Sequence, residues 1–446
     1  MARKKNEEDL PLHELLPPVT FTPMGAADKQ QDQGNLLAAK QSPAFLEAGG
    51  MVAHAMTKRG EQVMLDYGKT GVAVRFNVDG LWMNIDPRDR QSGDAMLLVY
   101  KKLANLDIKE RRARQEGAFG IEFQGAKYIC NFSSQGTKTG ERVFIKIVSK
   151  KDKFETIEDL GMRPGMRQEF KELIDDEKGL VVFSTPTGQG LTTLWNIGLG
   201  TTDRYVRDFV ALEDKGNREA EVINIGPIYY EGAQGQTPAT LLPKLLLKQP
   251  DVFVVPNLTN AETIGILCEQ VNKHSKMVIT RVNAKECVEA LLRILMLKAP
   301  VEAFSKAVSM VLNGRLIRKL CEECKQSYKP NPKMLQKLGI PPTRVTVLYR
   351  EFQPPPPEEC VDEKGRPIEI PVCEACGGIG YLGRTSIFEL LRVDASLRET
   401  LVNQPKLETL RKVARANGMR TLQEEGVLLV AQGVTSLPEL QRVLKQ

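Results

Sequence analysis

Cysteine spacing gives the clearest chemical signal in the chain. Four of the eight cysteines stand in two C-x-x-C pairs, at Cys321, Cys324, Cys373 and Cys376. Four thiolates form a closed tetrahedral zinc site, and a site without an open position is structural rather than catalytic. One pair alone would also fit a redox motif, but two pairs with Lys319 and Lys325 close by favour a metal. The sequence therefore predicts a structural zinc site on these four cysteines.

The other four cysteines lack this spacing. Cys130, Cys268 and Cys287 lie in apolar patterns and are expected to be core residues. Cys360 lies in an acidic, proline-rich insertion and is predicted to be a free thiol in a loop. The N-terminus has no apolar core of a secretory signal. A disulfide framework is therefore not expected.

Residues 179–199, GLVVFSTPTGQGLTTLWNIGL, have the outline of a phosphate-binding loop: an apolar strand, a glycine-rich turn and a helix start. Such a loop binds phosphate because backbone N–H groups converge at a helix N-terminus. The full pattern is G-x-x-x-x-G-K-[ST]. Gly190 and Thr192 fit it, but Thr185 replaces the first glycine and Leu191 replaces the lysine. Taken alone, the segment is also consistent with an ordinary glycine-rich turn.

Composition sets the broad class. The chain has 446 residues, of which 41% are hydrophobic and 26% charged, as in a soluble protein of several globular domains. Lysine and arginine exceed aspartate and glutamate by 62 to 56, and this excess is too small to argue for nucleic-acid binding. No apolar run is long enough to span a bilayer. We therefore expect a cytoplasmic protein whose membrane association, if any, comes through a partner.

Pattern changes along the chain predict an α/β organisation. Alternating and apolar segments such as EQVMLDY and ERVFIKIVS predict a small sheet domain, and later apolar strands separated by helical segments predict a parallel sheet with helices on both faces. We expect a disordered arm over 1–44, a small α/β sheet domain over 45–150, a linker over 151–167, the parallel-sheet domain over 168–315, a cysteine-, proline- and glycine-rich module over 316–385 and a helical domain over 386–446.

From about residue 50 to 446 the chain resembles the secretion ATPase family, which includes type II secretion system E proteins and type IV pilus assembly ATPases. TPTGQGLTTLWN keeps the frame of the family's GPTGSGKTTTLY, and LDIKERRARQEGAFGI resembles LDIAERRLPQDGRI. VCEACGGIGYLGRTSIFELLRVD and ANGMRTLQEEGVLLVAQGVTSLPEL resemble the family's zinc segment and C-terminal helices. The resemblance implies that the parallel sheet is a RecA-like domain and that subunits form hexameric rings with nucleotide between them.

The resemblance also implies which residues would bind nucleotide. These are Gly188, Gln189, Gly190, Thr192, Thr193, Glu213, Asp251 and Arg142. Four catalytic positions are altered: Leu191 stands for the loop lysine, Asn257 for the glutamate that activates water, and Lys276 and Asn283 for two histidines.

Two further positions, Ala118 and Asn131, replace arginines that contact phosphates in the family, whereas Arg142 and Lys146 keep a basic residue. Phosphoryl transfer depends almost entirely on positioning and charge stabilisation. The loss of one such group typically costs on the order of 10²–10³ in rate. Useful hydrolysis is therefore not expected.

The sequence thus predicts a catalytically degenerate subunit, structural or regulatory, of a type II secretion or type IV pilus assembly motor. We expect structural zinc, weak or absent binding of ATP and Mg²⁺, a homo- or hetero-hexamer with a family paralogue, and attachment to the inner membrane through platform proteins. No nucleic acid is expected. One alternative is an active ATPase with a rearranged site, in which Lys276 or Lys215 supplies the missing cation. Another is a nucleic-acid binder that uses the basic zinc segment.

Overall fold

The computed structural model describes residues 11–149, 154–341, 345–354, 356 and 371–445. The chain forms two compact units, Met1–Lys153 and Phe154–Gln446. Their boundary falls within the predicted linker over 151–167. Cys360 lies outside the described residues, so its role as a free thiol stays a prediction.

Within its described residues, 11–149, the first unit contains one seven-stranded antiparallel sheet and four helices. Its strands are β1 (Val19–Pro23), β2 (Gly60–Tyr67), β3 (Gly71–Val78), β4 (Leu81–Asp89), β5 (Gln115–Phe123), β6 (Ala126–Gly136) and β7 (Glu141–Ser149). Its helices are α1 (Leu12–Leu15), α2 (Lys29–Lys40), α3 (Phe45–Thr57) and α4 (Arg90–Leu103). The strand order is β1-β5-β6-β7-β2-β3-β4.

Alternation along β2 and β3 explains how this sheet buries one face. The register places Val63 opposite Phe76 and Leu65 opposite Val74, and all four side chains are buried. Successive side chains of a strand point to opposite faces, so the residues between them form the other face. The sequence pattern thus predicted this sheet correctly.

The prediction of a disordered arm over 1–44 is wrong for the described residues from 11 onward. They form α1, β1 and α2, and β1 pairs with β5 so that Phe21 lies opposite Ile121. Phe21 is only 4% exposed and packs edge-on against the rings of Phe45 and Phe119. A polar, proline-rich segment can join a sheet when alternate residues are apolar, as in VTFTP, because only one strand face must be buried.

The second unit contains a larger mixed sheet. Its strands are β8 (Gly179–Thr185), β9 (Phe209–Asp214), β10 (Ile225–Tyr230), β11 (Val252–Val255), β12 (Met277–Asn283), β13 (Val308–Leu320) and β16 (Tyr381–Arg392). A small hairpin adds β14 (Gln326–Tyr328) and β15 (Leu348–Arg350). The order of the large sheet is β10-β9-β11-β12-β8-β13-β16, parallel throughout except for the last pair.

Helices cover both faces of this sheet. They are α5 (Pro164–Ile174), α6 (Leu191–Gly200), α7 (Pro238–Leu246), α8 (Ala261–His274), α9 (Cys287–Met296), α10 (Val301–Ala307), α11 (Pro332–Lys337), α12 (Ala395–Asn403), α13 (Leu407–Ala416), α14 (Leu422–Ala431) and α15 (Leu437–Lys445). One apolar cluster packs α5 and α6 on one face, and a second packs α7 to α10 with α12 and α13 on the other. This confirms the predicted parallel α/β domain. No helix among the described residues combines the length and apolarity that crossing a membrane requires.

Two predicted boundaries cut through strands. The position 315/316 falls inside β13, and 385/386 falls inside β16. These two strands pair with each other and extend the sheet beyond β8. The cysteine-rich segment therefore grows out of the parallel domain rather than following it as a separate sheet.

Candidate functional site

The glycine-rich turn lies where a phosphate-binding loop is expected, between the carboxyl end of β8 and the start of α6. Gly188 and Gly190 have φ angles of +77° and +86°, in the left-handed region that favours glycine. Thr192 and Thr193 are exposed in the first turn of α6. Within the described residues no side chain caps this helix. The turn therefore keeps the backbone shape of an anion site.

Gln189 anchors the loop to the neighbouring strand. Its side-chain oxygen accepts a hydrogen bond of 3.2 Å from the backbone N–H of Leu316 in β13. The Leu316 side chain also lies close to Gly190: a Cβ atom at this glycine would be 3.6 Å from Leu316 Cδ1, an ordinary van der Waals distance. The Gln189 side chain thus holds the loop in position, and the predicted role of Gln189 in nucleotide binding stays a prediction.

Leu191 replaces a charge with apolar packing. Its side chain is partly buried and packs against the cluster on the α6 face, which includes Phe183, Leu194 and Trp195. A lysine at a phosphate loop reaches the β- and γ-phosphates. Leu191 cannot supply this interaction, and its contacts give it a role in the core instead.

Three of the predicted positions meet at the carboxyl edge of the sheet with this turn. Asn283 at the end of β12 is level with Thr185, and Asn257 follows β11 and shares a hydrogen bond with the Tyr230 hydroxyl. Glu213 lies at the end of β9 and is 7% exposed. We call residues 185–192 with Glu213, Asn257 and Asn283 the loop edge.

Glu213 is a buried carboxylate. Burial raises its pKa, as does the charge of Glu219, while the backbone N–H of Glu219 and the charges of Arg281 and Arg218 oppose the rise. The N–H of Glu219 donates to Glu213 Oε2 at 3.1 Å. The carboxylate that the resemblance assigns to nucleotide binding thus already has a partner.

Asp251, which is predicted to bind nucleotide, lies at the edge of the sheet opposite the loop. Asp251 immediately precedes β11. The first residue of β11, Val252, pairs with Met277 of β12, and Met277 pairs with Gly179 at the start of β8. The loop follows Thr185, so about 20 Å of strand separates the two edges. Asp251 instead accepts a hydrogen bond from the N–H of Asp208 and pairs with Lys276 at 3.3 Å. Motif matching gives the order of residues but not the edge of the sheet on which each lies.

Lys276 is displaced for the same reason. It immediately precedes β12 and lies at the amino edge beside Asp251, so its side chain is not part of the loop edge. It cannot supply the missing cation there. The other suggested cation, Lys215, does follow β9 at the carboxyl edge, but it pairs with Glu231 at 2.7 Å.

Sequence reasoning missed one ion pair close to the loop edge. Arg281 in β12 donates two hydrogen bonds to Glu219, of 2.8 and 2.5 Å, and its guanidinium lies 5.3 Å from the centre of the Trp195 ring. The signal was present in the strand KMVITRV, because a charge inside an apolar strand must find a buried partner. The partner lies 62 residues away and could not be identified from the pattern.

The remaining predicted phosphate contacts lie in the first unit. Arg142 in β7 pairs with Asp66 at 2.6 Å, and this hydrogen bond raises its pKa. Ala118 and Asn131 stand opposite each other in β5 and β6. Their relation to a nucleotide stays a prediction.

The four cysteines of the two C-x-x-C pairs converge. Their sulfur atoms all lie within 4.8 Å of one another, with 3.9 Å between Cys321 and Cys373 and 3.6 Å between Cys324 and Cys376. Sulfurs bound to one zinc at ~2.3 Å in a tetrahedron are about 3.8 Å apart, so the cluster fits that ion. Burial acts to raise the pKa of Cys376, but the Gly380 N–H and neighbouring thiols outweigh it and lower the pKa to about 7.

A buried polar network joins this cluster to the C-terminal helix. The Glu439 side chain is fully buried and accepts hydrogen bonds from Arg318 at 2.7 Å and from Arg442 at 2.8 and 2.7 Å. Ser436 shares a hydrogen bond of 2.6 Å with Tyr381, whose ring lies under the Arg318 guanidinium. We call this network with the four cysteines the cysteine module.

The strand order, the loop after β8 and the helix behind it define a RecA-like fold with an altered glycine-rich loop. The family model described as "Type II/IV secretion system protein" matches residues 39–442. The chain therefore belongs to the type II/IV secretion system protein family.

Curated relatives agree. The chain is 28% identical over 395 residues to the type IV pilus assembly ATPase PilB of Thermus thermophilus, which covers 87% of this chain and 42% of that protein. It is 25% identical over 421 residues to the type II secretion system ATPase E of Vibrio cholerae, covering 94% of this chain and 79% of that protein. The chain thus spans less than half the length of the first relative.

Solved structures share the fold. The ATPase DotB of Legionella pneumophila matches with a TM-score of 0.57 at 12% identity, covering 91% of this chain and 96% of DotB. The pilus retraction motor PilT, solved with bound ADP, matches with a TM-score of 0.50 at 14% identity, covering 88% of this chain and 95% of PilT. At these identities the likeness concerns the fold alone.

Proposed function

We propose that this chain is a structural or regulatory subunit of a type II secretion or type IV pilus assembly machine and does not hydrolyse ATP at a useful rate. The observation that carries the proposal is the packing of Leu191, which puts an apolar core contact where the loop needs a cation. Asn257 supports it, because an amide cannot act as the general base for water. The intact turn around Gly188 and Gly190 leaves room for weak binding of ATP and Mg²⁺.

The proposed subunit works through assembly. We place it in a hexameric ring, either with its own copies or beside an ATP-hydrolysing paralogue, attached to platform proteins of the inner membrane on the cytoplasmic side. The relatives named as secretion and pilus ATPases support this choice of machine. Nucleic acid has no role in the proposal.

We further propose that the four cysteines hold one zinc ion. Zinc bound by four thiolates is closed to substrate and stabilises the fold around it. In this chain its effect would be to fix the end of β13 against the start of β16, since the N–H of Cys321 donates to the carbonyl of Gly380 at 3.0 Å.

The alternative of an active ATPase keeps one supporting observation: Lys215 lies at the carboxyl edge of the sheet, where a cation would be needed. It would have to leave Glu231 to act there. Asn257 would still lack a replacement as general base, so the proposed structural or regulatory subunit is favoured.

The test is Mg²⁺-dependent ATP turnover by the purified chain, compared with the Leu191→Lys/Asn257→Glu double variant and with Leu191→Met as the uncharged control. We expect no turnover above background for the unmodified chain and for Leu191→Met. An increase in ATP turnover in the double variant would show that the backbone of the loop edge can still support hydrolysis. Turnover by the unmodified chain at the rate of an intact relative would refute the proposal.

A further inference from the structure

The connection between β9 and β10, residues 215–224, is an unusual crossover. These strands are parallel neighbours, with Ile225 level with Phe209 and Tyr230 level with Asp214. Such a connection normally takes a dozen or more residues, usually a helix. Here the chain returns over about 17 Å of strand in an irregular segment of ten residues. We call residues 215–224 the strap.

Few side chains of the strap face inward. Glu219 and Val222 are partly buried, whereas its other residues are exposed. Val222 packs against the apolar cluster on the α6 face, so the strap crosses that face of the sheet. Within this cluster, Val222 is the point at which the strap makes apolar contact.

Besides a cation–π contact of Arg218 with the Tyr229 ring at 4.7 Å, the strap is attached by the pair of Glu219 with Arg281. The two side chains are 8% and 12% exposed and are joined by two hydrogen bonds. Bidentate pairs of this kind are among the strong side-chain interactions of proteins. Because Arg281 is fixed in β12 and stacked on Trp195, it holds Glu219, and with it the strap, against the sheet.

The strap covers Glu213. While Glu219 is held by Arg281, its backbone N–H donates to Glu213 Oε2 at 3.1 Å, and Glu213 is 7% exposed. A divalent cation surrounds itself with about six oxygen ligands, and at a site with one carboxylate most of them are waters. Glu213, at 7% exposure, has no room beside it for such a shell until the strap moves away from the sheet.

We propose that the strap is a latched cover that withholds the Glu213 carboxylate from a divalent cation, and that the pair of Glu219 with Arg281 is the latch. The proposal rests on the proposed function, because Glu213 belongs to the same loop edge. It adds a second reason for weak nucleotide binding: besides the missing lysine, the carboxylate is covered. Opening of the strap would restore access to Glu213.

The experiment uses the full chain in a Trp82→Phe background, which leaves Trp195 as the one tryptophan of the two in the sequence. The latch is removed by Glu219→Gln with Arg281→Gln, so that neither charge stays buried without a partner. The matched control is Glu289→Gln with Arg293→Gln, which removes an ion pair on α9. Two readouts follow: trypsin cleavage after Lys215 or Arg218, and Trp195 emission during titration with MgCl₂.

We expect cleavage in the strap to be about tenfold faster in the latch variant than in the unmodified background or the control, because local opening sets the rate. We also expect Mg²⁺ to change Trp195 emission in a saturable way in the latch variant alone, and an added Glu213→Gln to abolish the change. Unchanged cleavage, or a Mg²⁺ response that survives Glu213→Gln, would overturn the proposal.

A milder variant, Arg281→Lys, keeps the proposal testable if the latch variant fails to fold. Lysine keeps the charge but loses the bidentate geometry. We expect strap cleavage between that of the unmodified and the latch chains, and no increase would count against the latch. Neither readout uses nucleotide, so ATP turnover by the unmodified chain would refute the proposed function without affecting this result.

Discussion

The loop edge and the cysteine module lie on the same sheet but differ in what their residues do. At the loop edge the backbone has the required shape, while side chains that would carry charge are apolar, amide or already bonded, as Leu191, Asn257 and Glu213 show. In the cysteine module the side chains themselves meet: four thiols converge, and Glu439 has two arginine partners. The backbone of the loop edge can therefore persist with altered side chains, because glycine angles and strand register do not depend on those groups.

The strongest test of this contrast is metal removal from the cysteine module. Cys373→Ser should remove most of the zinc and lower the free energy of unfolding of the second unit by several kcal/mol, since metal binding energy is folding energy in such sites. Metal analysis and urea unfolding measure the two effects. Cys360→Ser is the control and should keep one zinc per chain. Full zinc retention by Cys373→Ser would exclude the four-thiolate site.

Loss of the buried acid in the cysteine module should have the next largest effect. Glu439→Gln leaves Arg318 and Arg442 without their carboxylate and should cost about 3 kcal/mol at pH 7. Glu408→Gln, at a side chain that is 75% exposed, should change stability little and serves as the control. Equal stability of the two variants in urea unfolding would contradict the importance of the network.

The same variant gives a pH test. Burial acts to raise the pKa of Glu439, but hydrogen bonds from Arg442 and Arg318 outweigh it and hold the pKa below its ordinary 4.5. A depressed pKa stabilises the fold above pH 4.5 and this stabilisation is lost as the pH falls further. The difference between the unmodified chain and Glu439→Gln should therefore shrink as the pH falls through the region below 4.5. A difference that stays constant over this range would be the contrary result.

At the loop edge, Leu191→Lys should destabilise the second unit by about 1 kcal/mol, because it removes partly buried apolar area without providing a partner for the charge. Leu191→Met keeps the volume and should stay within about 0.5 kcal/mol of the unmodified chain. Thermal or urea unfolding compares them. Stabilisation by lysine would mean that the site still holds an anionic partner.

The smallest effect is expected at Gln189. Gln189→Ala removes one hydrogen bond to Leu316 and should cost about 1 kcal/mol or less. Hydrogen exchange should show faster exchange of amides in 186–190, with the remainder of the sheet unchanged. Thr187→Ala, at an exposed position of the same loop, is the control. Uniform exchange in both variants would show that the loop does not depend on this contact.

Much of the fold followed from local patterns. Apolar runs such as VVFS and FVVP mark buried strands whatever their partners, and the spacing of the cysteines identified the cluster. The arm over 1–44 was misjudged, because pairing with β5 is a tertiary effect that composition does not reveal. That Asp251 and Lys276 lie at the edge away from the loop could not be predicted, since a motif fixes sequence order but not how many residues of strand separate two positions.

The strand β13 has a further consequence. The Leu316 N–H donates to Gln189 of the glycine-rich loop, and the adjacent Arg315 donates to the carbonyl of Val443 at 2.9 Å. Two residues after Leu316, Arg318 donates to Glu439. The strand ends immediately before the first cysteine pair. These three attachments lie within four residues of one hydrogen-bonded strand, whose length is fixed. A displacement of the C-terminal helix α15 would therefore be transmitted through β13 to the glycine-rich loop.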